Sequence, residues 1–254
     1  MIKTLVFKTL QRFGFTLISN SRFEKLHELE HYKPASQPFA DHVRRVLQKH
    51  EIDCVFDIGA NDGSFARWLR DEVEYEGHIV SFEPIPHVAA ETARLAASDA
   101  KWRVLPMALG RASGTADFHI MSSDVFSSFL TPDQQQPDRY ADSNKIAETV
   151  KVTVETVTNI WRKVSSELGV SRMYLKMDTQ GYDLEVFAGA LPVADSIVAL
   201  QSELAFQQIY AGSASFEDAF SAFKAGGFQL SMLHPISMDE KLVAIEADGL
   251  FVRT

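Results

Sequence analysis

Six ionisable side chains stand at or near the ends of short apolar runs, and they set the chemistry open to this chain. Asp57 closes Cys54-Val55-Phe56, and Glu83 closes His78–Phe82. Asp178 follows Met173–Met177, with Lys176 two residues before it. Glu203 ends a run that begins at Ser196, and His234 precedes Pro235. After Asp57 the chain turns through Gly59, Asn61 and Gly63 into the helical pattern Phe65-Ala66-Arg67-Trp68-Leu69. A strand, a glycine turn, a helix and an acid ending the next strand make half of a nucleoside-binding α/β unit. One carboxylate can accept both ribose hydroxyl protons, so Glu83 is the expected ribose ligand.

The glycine spacing separates two nucleoside classes. A dinucleotide fingerprint needs Gly-x-Gly-x-x-Gly, so that a pyrophosphate can lie on the helix N-terminus. Here the order is Gly59, Asn61, Gly63, with Ser64 where the third glycine would fall. The loop has no basic residue, and Asp57 and Asp62 repel a phosphate. An acid beside the turn suits a cationic ligand, such as the ammonium and sulfonium of S-adenosylmethionine, and this donor is favoured over NAD. Asp57, Gly59 and Asn61 are then expected around its methionine portion, with Ala60, Gly63 and Phe65 in the same loop. Pro84 and Ile85 would offer apolar contact to adenine, and Met107 and Ala108 backbone or packing contacts to the purine.

Methyl transfer to a hydroxyl needs a base or a metal, because an alcohol is a poor nucleophile at neutral pH. Asp178 is the first candidate base, with donor binding or a helix cap as the alternative. Lys176 lies on the same face of its strand. Pairing with Asp178 would lower that acid's pKa and weaken it as a base; otherwise the ammonium could stabilise a developing alkoxide. Glu203 is the second acid, as base or hydroxyl anchor, or simply a solvent-facing residue. His234 has a suitable pKa, but with no motif around it a loop histidine is the simpler reading. The histidines assemble no metal site by spacing. His27 and His31 are four apart with no third ligand, so no tightly held metal is expected; a weak Mg2+ site between Asp178 and Glu203 stays open.

Elements must position these groups, and bulk composition bounds them. With 254 residues, 46% of them hydrophobic and 23% charged, one α/β domain with N-terminal additions is the expectation. A net charge of −9 argues against broad nucleic-acid binding. The single cysteine, Cys54, excludes an internal disulfide and fits a reducing cytoplasm. No apolar run is long enough to span a bilayer. Residues 1–13 set Ile2, Leu5, Val6, Leu10 and Phe13 against Lys3, Lys8 and Arg12. That pattern suits a helix packed on the domain or on a partner, or one resting at the inner face of a membrane, more than a signal peptide.

Residues 1–50 read as a helical extension broken at Pro34 and Pro38, with a helix over Phe39–His50 leading into the domain of residues 51–254. Pro84 and Pro86 open a helix to about Ser98, and Trp102–Leu109 reads as a third strand stopped by Gly110. Gly114–Ile120 alternates like an exposed strand, able to pair with Lys151–Val154. Between them a polar segment, about 122–148, holds Ser127 and Ser128 and is expected to cover the substrate. Alternation resumes with a helix at 155–167, the strand Met173–Met177, a helix at about 181–190 and the strand Ser196–Leu200 reaching Glu203. Phe216–Ala225 is helical up to Gly226-Gly227. A final hairpin starts at Phe228–Leu233, with Leu242–Ile245 and Leu250–Val252 as partners and a turn expected at Asp248-Gly249.

These motifs occur together in a known order. With Asp57-Ile58-Gly59-Ala60-Asn61-Asp62-Gly63-Ser64-Phe65, Phe82-Glu83-Pro84-Ile85-Pro86, Ala108-Leu109-Gly110, Ser127-Ser128 and Leu175–Asp183 continuing through Glu185–Ala190, the chain resembles the FkbM family of S-adenosylmethionine-dependent methyltransferases. The match covers about residues 50–205. The resemblance implies a Rossmann-like class I methyltransferase fold, α/β with a mostly parallel seven-stranded sheet and a C-terminal antiparallel hairpin. It also implies O-methylation, typically of a hydroxyl on a sugar or another secondary metabolite, with a glycan or small molecule as acceptor. One departure stands out: the family commonly has Asp-x-Glu-Gly-x-Glu where this chain has Asp178-Thr179-Gln180-Gly181-Tyr182-Asp183. Losing an acid at Gln180 makes a carboxylate metal cage less plausible.

Overall fold

Uninterrupted apolar runs form strands that are buried on both faces, because helices cover a parallel sheet above and below. The computed structural model describes residues 37–254; the expectations for residues 1–13, for Pro34 and for the His27/His31 pair lie outside them. Helix α1 (Gln37–Lys49) carries Pro38 in its first turn, where proline is tolerated, so Pro38 does not break it. Then follow β1 (Cys54–Ile58), α2 (Ser64–Asp71), β2 (His78–Phe82), α3 (Pro86–Ala96) and β3 (Trp102–Leu105). Every residue of β1 is buried. After a small second sheet come α4 (Val157–Leu168), β7 (Met173–Met177), α5 (Asp183–Ala190), β8 (Ile197–Ala205) and α6 (Phe216–Ala225). The antiparallel pair β9 (Phe228–Met238) and β10 (Ala244–Arg253) ends the chain. Among the described residues, no helix is long and apolar enough to cross a membrane.

The large sheet has seven strands in the order β3-β2-β1-β7-β8-β10-β9, parallel except for β10. This is the expected mostly parallel sheet closed by a C-terminal hairpin. Local chemistry explains its boundaries. Thr156 caps α4 by accepting from the Asn159 amide, and Gly169 ends it in the left-handed conformation. Ser215 and Asp218 cap α6 reciprocally. Phe187, Phe223, Phe228 and Phe251 are buried and meet edge-on where α5 and α6 pack on the hairpin.

Two expectations are corrected. Trp102–Leu109 is not one strand but two, because Pro106 lacks the amide that would continue the ladder. β3 joins the large sheet, while β4 (Ala108–Leu109) starts a second, three-stranded sheet in the order β4-β6-β5. There β5 (Gly114–Met121) and β6 (Ile146–Glu155) pair antiparallel, as expected, on their own apolar cluster of Phe118, Ile120, Val152, Val154, Ile85 and Val88. Asp248-Gly249 is not a turn but lies inside β10, opposite Glu203 and Ser202. A side chain at Gly249 would meet Leu204 at 2.7 Å, so close packing calls for that glycine. The hairpin turns instead after Asp239, whose Oδ1 accepts from the Lys241 and Val243 amides.

Candidate active site

Polar side chains cross the apolar sheet in two rows, and register creates both. Ser81, Asp57, Lys176 and Gln201 are successive cross-strand neighbours on β2, β1, β7 and β8. Nearer the strand tips, Asp248 stands opposite Glu203 on β8 and opposite His234 on β9. His234 is therefore a mid-strand residue rather than a loop one.

In the first row Trp102 Nε1 donates to Ser81 Oγ at 3.0 Å, and Ser81 Oγ donates to Asp57 Oδ2 at 2.9 Å. Lys176 Nζ lies 3.2 Å from Asp57 Oδ1 and 3.3 Å from Asp178 Oδ2. It also donates to the Gly59 carbonyl at 3.3 Å and sits 5.2 Å above the Phe65 ring. Burial opposes the charge on Lys176, but Asp178 and Asp57 outweigh it and hold its pKa above the ordinary lysine value. Asp57 is fully enclosed, at 0% exposure. It therefore does not line a crevice as expected; it reaches the donor loop through Lys176, which fastens Gly59.

The donor loop is shaped by backbone. Gly59 has φ +77°, and a Cβ there would lie 1.8 Å from the Asp178 carbonyl oxygen, so the loop presses on the tip of β7. The Asp178 amide donates to Ile58 O at 3.1 Å, joining the two tips. Asn61 adopts φ +44°, and its carbonyl accepts from Thr92 Oγ1 at 2.7 Å. The Ala60 amide donates to Phe82 O at 3.0 Å, and Gly63 backs onto Thr92 and Trp102. Glu83 is 4% exposed; its Oε2 accepts from the Asn61 amide at 2.9 Å and its Oε1 from the Ile85 amide at 2.8 Å. Each oxygen keeps a lone pair for a hydroxyl, which fits a ribose. Pro84 is partly exposed. Ile85 and Ala108 are instead buried in the cluster of the small sheet, and Met107 packs on the main core.

Burial pushes Glu83 up to about 7, against the pull of its two backbone hydrogen bonds. The folded chain thus holds this proton after the unfolded chain, with the ordinary value of 4.5, has released it. Stability is expected to fall as pH rises between those two values. Urea titrations from pH 4.5 to 7 should show that slope in the wild type and a flatter one in Glu83→Gln. Donor-product affinity in the variant should drop by about 1–3 kcal/mol. An unchanged slope and an unchanged affinity would remove Glu83 from the site.

At the tips of β7 and β8, one amide joins two acids. Gln180 Nε2 donates to Asp178 Oδ1 at 3.0 Å and to Glu203 Oε2 at 2.9 Å. An amide therefore fills the gap where a weak Mg2+ site stood open. Among the described residues, no group of three His, Cys, Asp or Glu could hold a metal ion. Burial raises the Glu203 pKa well above the carboxylate range, and the negative charges of Asp178, Glu246, Asp248 and Asp183 add to it. Glu203 lines a narrow cleft with Tyr210, Ser213, Phe216 and Glu246. Burial likewise raises Glu246, whose Oε2 meets Tyr140 Oη at 2.9 Å and Ser237 Oγ at 3.1 Å. Asp248, buried beneath, is pushed up to about 6.

The segment between β5 and β6 folds over this end. Ser127 Oγ accepts from the Met121 amide and builds the segment's own turn, whereas Ser128 Oγ accepts from the Leu130 amide and also donates to the Gln180 carbonyl. Gln180, Tyr210, Glu246 and Asp248 were not singled out as site residues from sequence. The signal that could have found the last two was a pair of acids inside the otherwise apolar run Ala244–Val252.

Comparison with known proteins follows the same outline. The methyltransferase FkbM domain model matches residues 57–230, well over half of the chain. Among solved structures, a methyltransferase FkbM from Methylobacillus flagellatus KT is 12% identical, with a TM-score of 0.49 over 80% of this chain and 44% of that one. The chain therefore spans less than half the length of that protein. Magnesium protoporphyrin IX methyltransferase from Synechocystis PCC 6803, with bound SAM, is 12% identical, with a TM-score of 0.46 over 87% and 81% of the two chains. No curated protein matches.

Proposed function

Since this chain belongs to the FkbM methyltransferase family and is an S-adenosylmethionine-dependent methyltransferase, we propose that it methylates a hydroxyl oxygen, with Glu203 as the general base. The donor supplies an electrophilic methyl on a cationic sulfur. The Gly59 turn and Glu83 hold it over β1 and β2, and the acceptor enters over β7 and β8. With the acceptor oxygen in line with the S–CH3 bond and about 3 Å from the methyl carbon, the O–C bond forms as the C–S bond breaks. The sulfur keeps the bonding pair, and the hydroxyl proton passes to Glu203.

The observation that carries this reading is the contrast between the two acids on the Gln180 amide. Asp178 is already engaged on both oxygens, Oδ2 by the Lys176 ammonium at 3.3 Å and Oδ1 by the Gln180 amide at 3.0 Å. Burial and the charged groups acting on Glu203, all of them acidic, raise its pKa above the ordinary carboxylate value, so its carboxylate takes up a proton more readily. In this scheme Asp178 orients rather than abstracts. A neutral, hydroxyl-bearing acceptor such as a sugar suits the mouth of this cleft, because its carboxyl groups can hydrogen-bond hydroxyls.

Transfer of labelled methyl to a panel of neutral glycans, glycosylated metabolites, polyketide alcohols, amines and carboxylic acids tests this. Label is expected in an alkali-stable ether on a sugar. Ethers on polyketide alcohols alone would keep O-methylation and overturn the sugar; label only on nitrogen or in an ester would overturn both.

A further inference from the structure

The residue that departs from the family pattern is also the most connected one at the site. Gln180 holds φ +54°, a left-handed conformation that a non-glycine residue adopts only when its surroundings impose it. Every polar group of its side chain is used. The two N–H bonds reach Asp178 and Glu203, and Oε1 lies 2.7 Å from Tyr210 Oη. Its backbone carbonyl accepts from Ser128 Oγ at 2.8 Å. Tyr210 Oη also lies 2.8 Å from the Phe126 carbonyl, with one proton to share between the two acceptors. The residues around Tyr210 are zipped to the covering segment: the Ala211 amide donates to Thr131 O and the Asp133 amide to Ile209 O, both at 2.8 Å. One side chain thus braces two carboxylates on neighbouring strand tips and fastens them to the segment above.

We propose that Gln180 is a positioning residue for methyl transfer, a neutral cross-brace that sets the spacing of Asp178 and Glu203 and locks that pair to the segment between β5 and β6. A primary amide suits this task, since it offers two donors at a fixed angle and carries no charge. A glutamate in its place would offer no donor when ionised and would add a third negative charge between two others. Asparagine is one methylene too short to span the same groups. The role rests on reading Asp178 and Glu203 as the acids of the reaction.

The charged and titratable groups facing this pair are Lys176 and Asp57 from β7 and β1, Asp183 from α5, Glu246 and Asp248 from β10, and Tyr210 from the loop after β8. All of them stay in place in Gln180→Met, which keeps the length and removes the hydrogen bonds, and in Gln180→Glu, which keeps the shape and adds charge. Carboxylate carbon titrations by NMR, with Asp178 and Glu203 assigned through Asp178→Asn and Glu203→Gln, read the brace without any acceptor. Losing donated hydrogen bonds should move the Glu203 midpoint up by about one pH unit in Gln180→Met, and Gln180→Glu should move it further. With an acceptor present, kcat in Gln180→Met should fall at least tenfold, while donor-product affinity stays within threefold. In Gln180→Glu the acid limb of the kcat/KM profile should shift to higher pH by the same amount as the midpoint.

Midpoints and kcat both unchanged in Gln180→Met would overturn the proposal. So would a tenfold fall in kcat matched by an equal loss of donor affinity with no movement of the midpoints, which is the mark of general damage. If the wild type methylates no hydroxyl, the reaction assigned above fails instead, and the midpoints still judge the brace.

Discussion

Glu203→Gln should cut kcat by about a hundred- to ten-thousand-fold, the range for losing a general base. Glutamine is isosteric, and its Oε1 can still accept from Gln180 Nε2, so the fold and the donor site should survive. Affinity for S-adenosylhomocysteine, measured by calorimetry, should stay within about twofold, because Glu203 lies over β8 and Glu83 over β2. In the wild type, activity should rise with pH through a midpoint above the ordinary carboxylate value, as burial and acidic neighbours raise this group. Asp178→Asn is the control. Its carboxylate is already held by Lys176 and Gln180, so its kcat should fall less. A large loss in Asp178→Asn with near-normal turnover in Glu203→Gln would reverse the two roles.

Lys176→Met should destabilise the fold by about 3–5 kcal/mol, the cost of leaving a buried charge without its partner. Asp57 is fully enclosed, Ser81 occupies only one of its oxygens, and Lys176 itself is 5% exposed. The double variant Asp57→Leu with Lys176→Met should recover much of that loss, since two apolar side chains of similar volume leave no charge stranded. The ammonium is held above its usual pKa, so its contribution persists at neutral pH and is lost as pH rises through the raised lysine value. Urea unfolding of the wild type and both variants decides the matter. A single-variant loss below about 1 kcal/mol would place the pair among ion pairs of little weight.

Much of this arrangement was legible because it is local. The turn at Gly59, the acid at Glu83 and the helix Phe216–Ala225 each depend on a few adjacent residues, and their elements fall within a residue or two of the expected bounds. What was misread depends on neighbours distant in sequence. Asp248-Gly249 has the composition of a hairpin turn, but Leu204 packs where a side chain at Gly249 would stand. Pro106 divides a run that is apolar but for Arg103. Asp57 looked like a wall of the donor crevice; only the register of β1 against β7 places Lys176 beside it and encloses both. Gln180 was noticed as a missing acid, whereas its contribution comes from four partners, three of them on other segments. Single-residue motifs show where a charge stands, not which buried group consumes it.

The small sheet of β4, β5 and β6 has its own apolar cluster, apart from the aromatic core of the large one. The stretch from Met121 to Ile146 springs from that separate platform. Insertions and deletions there can lengthen, shorten or recompose the canopy while the strands that carry Glu83 and Glu203 keep their register. Changes that keep the Ser128 and Phe126 contacts to Gln180 and Tyr210 therefore have an outlet in this stretch that leaves the large sheet alone.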